Sequence, residues 1–293
     1  MAPTAPGGLK QARDPRLRLR SWVKKLSALT AIVALCSGCK TSPVGQPLTH
    51  QAAQTHTMRT SFRIGETNLN VLVFQHGPPS PTFINVHDDE NTSVAAGKTV
   101  IEQTGGRLIE LSHSGERNVR FTLNGEWFAF DPNRIFSEAG IRATLKHQSH
   151  FSEAAQHAVK RFAAQWLERF ALDRELVIIA LHNNTERALT IQSYEPGHEH
   201  AATSKAVHVA PTRSPDDFFY VTDERFFDYL KQREFNVTLQ DNANVPDDGS
   251  LSVYFGKKGI PYINIEAEIS HLNAQIEMVR AARTMVQELG LVR

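Results

Sequence analysis

Cysteine is nearly absent from this 293-residue sequence: there are two, Cys36 and Cys39, and both lie near the N-terminus. Because the rest of the chain has none, we expect neither a disulfide framework nor a cysteine nucleophile in the folded part. An excess of charge is also missing, since 32 basic residues face 31 acidic ones and the formal net charge is +1. This balance gives no reason to expect a nucleic-acid partner.

Several common functional motifs are missing too. The sequence contains no Gly-x-Ser-x-Gly nucleophile elbow, no phosphate-binding glycine loop and no visible internal repeat. The apolar run LSALTAIVAL near the N-terminus is too short to span a bilayer comfortably, because a spanning helix needs about 20 residues. Serine hydrolases, phosphate-loop nucleotide enzymes and repeat proteins are therefore disfavoured.

The first 40 residues have the layout of an export signal. A basic segment is followed by the apolar run and then by the small-residue segment CSGCK, the order that is typical of a secretory signal. The segment resembles a bacterial lipoprotein signal, with Ser37 and Gly38 preceding Cys39. The resemblance implies a signal peptide over residues 1–38 and a lipid on Cys39 that anchors the mature chain to the membrane, facing the periplasm or the cell exterior. An ordinary secretory signal cut nearby is the alternative.

The mature chain divides into a tether and one domain. Residues 39–58 are polar and patternless, which predicts a flexible tether, and residues 59–293 are long enough for a single domain with a proper core. Short apolar runs alternate with helical patterns, which predicts an α/β fold whose mixed or parallel sheet is covered by helices. We expect strands at residues 70–74, 82–86, 175–181 and 261–265, and helices at residues 92–106 (with Thr92 as N-cap), at residues 152–170 and at the C-terminus.

Three of the predicted strands stop at a residue that can bind a metal. TFINV ends at His87, ELVIIAL at His182 and PYINI at Glu266. In open α/β sheets, ligands bind beyond the carboxyl ends of the strands, so these residues would share one crevice if their strands are neighbours. Glu90 lies three residues after His87, and two histidines with one glutamate leave zinc an open position for water, as in catalytic zinc sites.

The His-x-x-Glu spacing also occurs at His113/Glu116 and at His150/Glu153. Neither of these pairs follows a strong apolar strand, and we discount both. A fourth piece strengthens the first pair: FDPNRIF places Asp131, Asn133 and Arg134 directly after the predicted strand EWFAF.

These motifs resemble, in order, those of the zinc carboxypeptidase family and of the related aspartoacylase and succinylglutamate desuccinylase group. The family pattern is His-x-x-Glu at a strand end, then Asp-x-Asn-Arg, a strand-end His and a strand-end Glu. Here HDDE, DPNR, LHNNT and the strand-end Glu266 correspond to it over most of the mature domain. The resemblance implies a three-layer α/β/α fold with a mixed, largely parallel central sheet.

The resemblance also implies roles for the metal site and its base. His87, Glu90 and His182 would hold one zinc ion (Zn2+). Glu266 would act as the general base for a metal-activated water, with Glu268, two residues on, as the competitor.

The substrate-binding roles follow in the same way. Asp131 would orient His87, whereas Asn133 and Arg134 would bind a substrate carboxylate. An upstream arginine would polarise the scissile carbonyl, and Arg117 is preferred to Arg120 because it lies in a polar, turn-like stretch.

The function implied is a zinc metallocarboxypeptidase or amidohydrolase that cleaves a small peptide or acyl amino acid near a free carboxylate. The predicted location outside the cytoplasm, by itself, adds cell-wall or other periplasmic peptides as candidate substrates. A non-catalytic zinc- or peptide-binding lipoprotein of the same fold is the alternative, and a structural lipoprotein with coincidental motifs is the third hypothesis. We assign His198 and His200 to a solvated loop and Asp247 and Asp248 to exposed turns, while Tyr194 is a candidate to reach the site.

Overall fold

The computed structural model describes residues 54–292. The predicted signal peptide at residues 1–38, the lipidated Cys39 and most of the predicted tether lie outside the described residues. The predicted end of the tether at residue 58 is wrong by a few residues, because the first strand already begins at Thr55. The side chains at the start of this strand are exposed, so they show no apolar alternation in the sequence. Among the described residues, no helix is both long and apolar enough to cross a membrane.

The described chain contains eleven strands and six α-helices. The strands are β1 (Thr55–Ile64), β2 (Thr67–His76), β3 (Thr82–Asn85), β4 (Gly106–Ser112), β5 (Val119–Leu123), β6 (Glu126–Phe130), β7 (Ile178–Asn184), β8 (Ser204–His208), β9 (Phe218–Val221), β10 (Val237–Gln240) and β11 (Tyr262–Glu268). The helices are α1 (Asn91–Thr104), α2 (Glu138–Gln148), α3 (Glu153–Arg169), α4 (Glu224–Lys231), α5 (Leu251–Lys258) and α6 (Leu272–Glu288).

Nine strands form one sheet in the order β1-β2-β4-β3-β7-β11-β9-β10-β8, and β5 and β6 form a separate hairpin. The central strands β4, β3, β7 and β11 are parallel to one another, and β9 and β10 form another parallel pair. The remaining four pairs are antiparallel. The mixed α/β sheet is confirmed, but it is parallel mainly at its centre, because hairpin connections such as β1–β2 form the flanks.

The sheet has a hydrophobic core on each face. On one face, residues of α2, α3 and α5 pack against side chains such as Ile84, Ile109 and Ile178. On the other, residues of α1, α4 and α6 pack against the alternating positions, including Phe83, Leu108 and Ile179. Because both faces are covered, the central strands are buried on both sides, which is why they appear in the sequence as continuous apolar runs.

The β1–β2 turn needs a glycine. Gly65 has a φ of +56°, and a Cβ placed there would lie 2.1 Å from the carbonyl oxygen of Thr122. Glu66 donates its backbone N–H to the same oxygen at 2.8 Å. The turn is thereby held against β5, whose hairpin lies next to the loop that carries Arg117.

Candidate metal centre and active site

The sheet order brings the three predicted strand ends together. β3, β7 and β11 are neighbours, and the register pairs Glu266 of β11 directly with His182 of β7. His87 lies two residues beyond β3, at the same edge of the sheet. The convergence that the sequence left open is therefore present, because the carboxyl ends of parallel strands share one edge.

His87, Glu90 and His182 form a compact, buried cluster. The Nδ1 atom of His87 lies 2.8 Å from Oε1 of Glu90 and 3.1 Å from Nδ1 of His182. Nδ1 of His182 lies 3.0 Å from Oε2 of Glu90. A turn in which Glu90 donates its backbone N–H to the carbonyl of His87 points both side chains at one position. These three residues can hold a metal ion.

The donor set fits zinc. Two ligand atoms bound tetrahedrally to zinc at about 2.0–2.1 Å lie roughly 3.3 Å apart, close to the observed separation of the two Nδ1 atoms. Nε2 of His87 lies 2.9 Å from Oδ1 of Asp131 and donates its proton there, so a neutral His87 directs the lone pair of Nδ1 at the cluster. Two imidazoles and one carboxylate are the ligand types of catalytic zinc sites.

The electrostatics of the cluster also favour a cation. Burial alone would lower the pKa of His87, but the carboxylates of Glu90 and Asp131 raise it to about 9. Burial would raise the pKa of Glu90, yet the neighbouring His87 and His182 hold it well below its usual range. The buried carboxylates thus remain ionised and attract positive charge to the position between the rings.

Asp131 contacts His87 as the resemblance implied. Its Oδ1 atom accepts from Nε2 of His87 and also from the backbone N–H of Asn133 at 2.8 Å. Its own backbone N–H donates to the hydroxyl of Thr144 at 2.8 Å. Burial would raise the pKa of Asp131, but the hydrogen bond and charge of His87, with Arg117, hold it well below its usual range.

The two candidate arginines lie in different places. Arg117 donates from Nη1 to Oε1 of Glu90 at 2.7 Å, and its Nη2 lies 3.7 Å from Oδ2 of Asp131. Arg120 is exposed on β5 and lines a separate cleft beside Trp127. The loop that carries Arg117 is held by Asp88, whose Oδ2 atom accepts from the backbone N–H groups of His113 and Gly115 at 2.6 and 2.7 Å.

The two candidate bases also differ in their surroundings. Glu266 is buried, its Oε1 atom accepts from Nδ2 of Asn264 at 3.0 Å, and burial raises its pKa. The Oε1 atom of Glu268 accepts from the hydroxyl of Ser270 at 2.7 Å, and its Oε2 atom lies 3.3 Å from Nε2 of His271. Glu266 lines the cavity at the metal cluster, whereas Glu268 faces the start of α6.

Asn133 and Arg134 line the same cavity, which has a volume of about 230 Å³ and ends at His87 and His182. Oδ1 of Asn133 accepts from the backbone N–H of Leu251 at 3.0 Å, which orients its amide. Arg134 is 40% exposed, and its Nε atom lies 3.7 Å from Oδ2 of Asp248. A guanidinium at the mouth of a cavity is placed to accept a carboxylate from solvent.

Part of this cavity has no clear signal in the sequence. His200, predicted to lie in a solvated loop, lines the cavity together with Tyr194. Asp248 also lines it and is exposed, as predicted. Tyr220 also lines it, but it lies on β9, a strand without a sequence signal. Tyr262 and Asn264 could have been found, because they precede Glu266 by four and two residues and so share its face of the strand.

The start of α1 is fixed by a residue from β7. The structure has Glu90 and not the predicted Thr92 as N-cap, and the side chain of Glu90 makes no capping bond because it is turned toward the histidines. The backbone N–H of Ser93 donates instead to Oδ1 of Asn183 at 2.8 Å, and the Ser93 hydroxyl donates to the carbonyl of Glu90 at 2.8 Å. Asn183 therefore supplies from another strand the cap that Glu90 does not provide.

Comparisons with known proteins concern the fold alone. No protein-family model matches the sequence, and no curated protein matches it. The chain is similar to solved structures of candidate metallopeptidases from Shewanella amazonensis (13% identity, 79% of this chain and 87% of that chain, TM-score 0.36) and Shewanella baltica (14%, 79% and 86%, 0.40). It is also similar to an aspartoacylase family protein from Mesorhizobium loti (15%, 83% and 72%, 0.39).

Proposed function

We propose that this chain is a zinc-dependent hydrolase that cleaves an amide bond, in a peptide or an N-acyl amino acid, next to a residue with a free carboxylate. The observation that carries the proposal is the buried His87–Glu90–His182 cluster at one end of a cavity that Arg117, Arg134 and Glu266 also line. Zinc in such a site supplies a Lewis acid and lowers the pKa of a water to roughly 7.

The remaining roles belong to the side chains around the cluster. Arg134 binds the substrate carboxylate with its planar fork, and Asn133 lies beside it. Arg117 donates to the scissile carbonyl as negative charge develops on the oxygen. Glu266 takes a proton from the attacking water and delivers it to the leaving amine, a task that a pKa raised by burial supports. Asp131 keeps His87 in the tautomer whose Nδ1 faces the cluster.

A second cavity gives the acyl part of the substrate a place. It has a volume of about 360 Å³ and shares Arg117 and Glu266 with the first, while Asn184 and Ile269 form part of its outer wall. A substrate whose scissile amide lies between Arg117 and Glu266 would place its carboxylate in the first cavity and its acyl group in the second.

The test is an assay of the purified mature chain against N-acyl amino acids, dipeptides and cell-wall peptide fragments. We expect hydrolysis that a chelator abolishes and added zinc restores, with about one zinc per chain by elemental analysis. Zinc binding without hydrolysis of any compound would instead support the non-catalytic binding protein. If the wild-type chain binds no zinc and a chelator removes no activity, the proposal is overturned.

We also propose that the protein is exported and anchored through a lipid on Cys39, which would limit its substrates to those outside the cytoplasm. This proposal rests on the N-terminal sequence pattern. Metabolic labelling with a fatty acid should mark the wild-type protein and a Cys36→Ser control but not a Cys39→Ser variant. Equal labelling of all three, or of none, would contradict it.

A further inference from the structure

The two edges of the nine-stranded sheet are built differently. β8 at one edge has five residues, and the pairing of β10 with it is interrupted by a register shift. β1 at the other edge has ten residues, and all of them pair with β2 without a shift. Short and irregular edge strands resist pairing with another chain, whereas a long regular strand is a template for it. β1 is therefore the edge at which a further strand can be added.

The turn after β1 shows which of its backbone groups point away from the sheet. Ile64 pairs with Thr67 across a two-residue connection, so these two residues exchange both of their backbone hydrogen bonds. Every second residue back along β1 does the same with β2, and the residues between them direct their N–H and C=O groups outward. No other described strand pairs with these outward groups. The residues that carry them are Thr57, Arg59, Ser61 and Arg63.

A groove of about 680 Å³ lies between this edge and α3. Phe62 lines the groove, and its ring packs against those of Phe162 and Phe170, with centroids 5.7 and 6.1 Å away. Met58 precedes Phe62 by four residues and so shares its face of the strand, but its side chain is 52% exposed. The edge thus combines an open groove beside an aromatic cluster with an exposed apolar side chain.

A second copy of this chain fits the edge, because two identical antiparallel strands are related by a two-fold axis and offer each other the same groups. With the axis at Thr60, this residue faces its counterpart, and Met58 faces Phe62 of the second copy. Facing Cβ atoms in such a pair are about 5 Å apart, so the exposed thioether reaches the aromatic cluster beside the groove. The outward N–H and C=O groups of the two strands would then form about eight hydrogen bonds.

The charges on β1 favour this register over its neighbours. With the axis at Thr60, Arg59 faces Ser61 of the second copy, and Arg63 faces Thr57. An axis one residue earlier would set Arg59 against its own counterpart, and an axis one residue later would set Arg59 against Arg63. Like charges that face each other across two strands are destabilising, so both neighbouring registers are disfavoured. Pairing about Thr60 is free of this repulsion.

We propose that two copies of this chain form a two-fold dimer in which their β1 strands pair antiparallel about Thr60, so that the sheet continues from one copy into the other. An extended peptide of another protein would use the same backbone groups but has no reason to set an apolar side chain opposite Phe62. The segment ahead of β1 fits less well, because Pro43 and Pro47 have no N–H to donate to a neighbouring strand. The inference does not depend on the proposed hydrolase, because no residue of the metal cluster or of its two cavities lies on β1.

Light scattering tests the dimer on the purified mature chain with Cys39→Ser, a parent that carries neither a lipid nor a cysteine. We expect the parent to have twice the mass of one chain. Thr60→Lys and Thr60→Glu each place two like charges on the axis, so each variant alone should be a monomer. An equimolar mixture of the two should regain the dimer, because the facing charges then attract. The matched control is Thr212→Lys, at an exposed turn position, which should remain a dimer.

A cross-link tests the register without a charged variant. In the proposed dimer the Cα atoms of the two Thr60 residues are about 4.5 Å apart, within the range that a disulfide spans. Thr60→Cys in the same parent should therefore form a covalent dimer on oxidation, whereas Thr57→Cys and Thr212→Cys should not. Equal cross-linking of Thr60→Cys and Thr57→Cys would overturn the proposal, because the strands would not meet about Thr60. A parent chain that stays monomeric at about 0.1 mM, or a Thr60→Lys variant that stays dimeric, would also overturn it.

Discussion

The side chain of Gln275, in α6, donates a hydrogen bond from Nε2 to the carbonyl oxygen of His182 at 2.7 Å, and both residues are buried. Oε1 of the same amide accepts from Nδ2 of Asn183 at 2.9 Å. Asn183 in turn binds the backbone N–H of Ser93 at the start of α1. One buried glutamine therefore joins the last helix to both segments that carry the metal ligands.

Replacing Gln275 should weaken metal binding without changing any ligand. Gln275→Leu removes the hydrogen bond to the His182 carbonyl and frees Asn183, so we expect a loss of zinc affinity of about tenfold, the size found for groups that orient metal ligands. Competition with a chelator measures it. The control is Gln287→Leu, an exposed glutamine of the same helix, which should retain wild-type affinity. Unchanged affinity in Gln275→Leu would show that the backbone holds His182 without this bond.

Arg117 and Arg120 should differ sharply in their effect on catalysis. Arg117 contacts Glu90, whereas Arg120 is exposed at a separate cleft, so Arg117→Ala should lower kcat/KM by about 100-fold and Arg120→Ala should leave it unchanged. Steady-state kinetics on the best substrate of the panel provide the measurement. Comparable losses in the two variants would mean that neither guanidinium acts on the scissile carbonyl.

Glu266 and Glu268 provide a second matched pair. Glu266→Gln keeps the size of the side chain and its contact with Asn264 but removes the base, so kcat should fall by about 10²- to 10⁴-fold while zinc is still bound. Glu268→Gln should stay close to wild type, because this side chain faces Ser270 and His271. The zinc content of both variants needs to be measured beside the rates. An active Glu266→Gln enzyme would exclude Glu266 as the base.

His271 should make stability depend on pH. The hydrogen bond to Asp217 raises the pKa of His271, with burial opposing and the charges of Asp217, Glu268 and Asp216 adding to the rise. A histidine whose folded pKa exceeds its unfolded value of about 6.5 contributes stability that is fully present below that pH and is lost as pH rises through the folded pKa. Burial raises the pKa of Asp217, and the hydrogen bond with His271 opposes that rise.

Thermal melts of the chain at several pH values between 5.5 and 9 test this expectation. From pH 5.5 to 9, the Tm of the wild type should fall by about 2 °C more than that of His271→Gln. His198→Gln, at an exposed loop position, is the control and should follow the wild type. Parallel curves for wild type and His271→Gln would contradict the prediction.

Much of the site could be predicted from the sequence because the candidate metal ligands follow strong apolar strands. His87 lies two residues beyond β3, and His182 and Glu266 directly follow the apolar runs of β7 and β11, which burial on both faces makes conspicuous. Arg117 was preferred because its polar, turn-like context differs from that of Arg120. The sequence could not establish that the strands are neighbours, because sheet order depends on long-range pairing that leaves no local pattern.

The missed parts have a different origin. β8, β9 and β10 are short strands without a clear alternation, so Tyr220 had no predicted element to place it. Local preference predicts Thr92 as N-cap, but the capping contact to Ser93 comes from Asn183, 90 residues away. His200 lies in a loop whose polar sequence indicates solvent, but its ring packs against that of Tyr194. Asp248 is exposed as its turn predicts, and only the structure shows that it lies 3.7 Å from Arg134.

The register of β11 against β7 pairs Glu266 with His182, so a small change in strand length would change which side chain faces His182. A slip of one residue would present Ile265 or Ala267 to His182 and turn the carboxylate to the opposite face of the sheet. A slip of two residues would restore the face and pair Asn264 or Glu268 with His182, while Glu266 would be displaced by about 6.6 Å along the strand. An insertion or deletion of an odd number of residues in this strand would therefore turn Glu266 away from the site. A change of two residues would keep the face of the sheet, so Glu268 could take over the proton transfer proposed for Glu266.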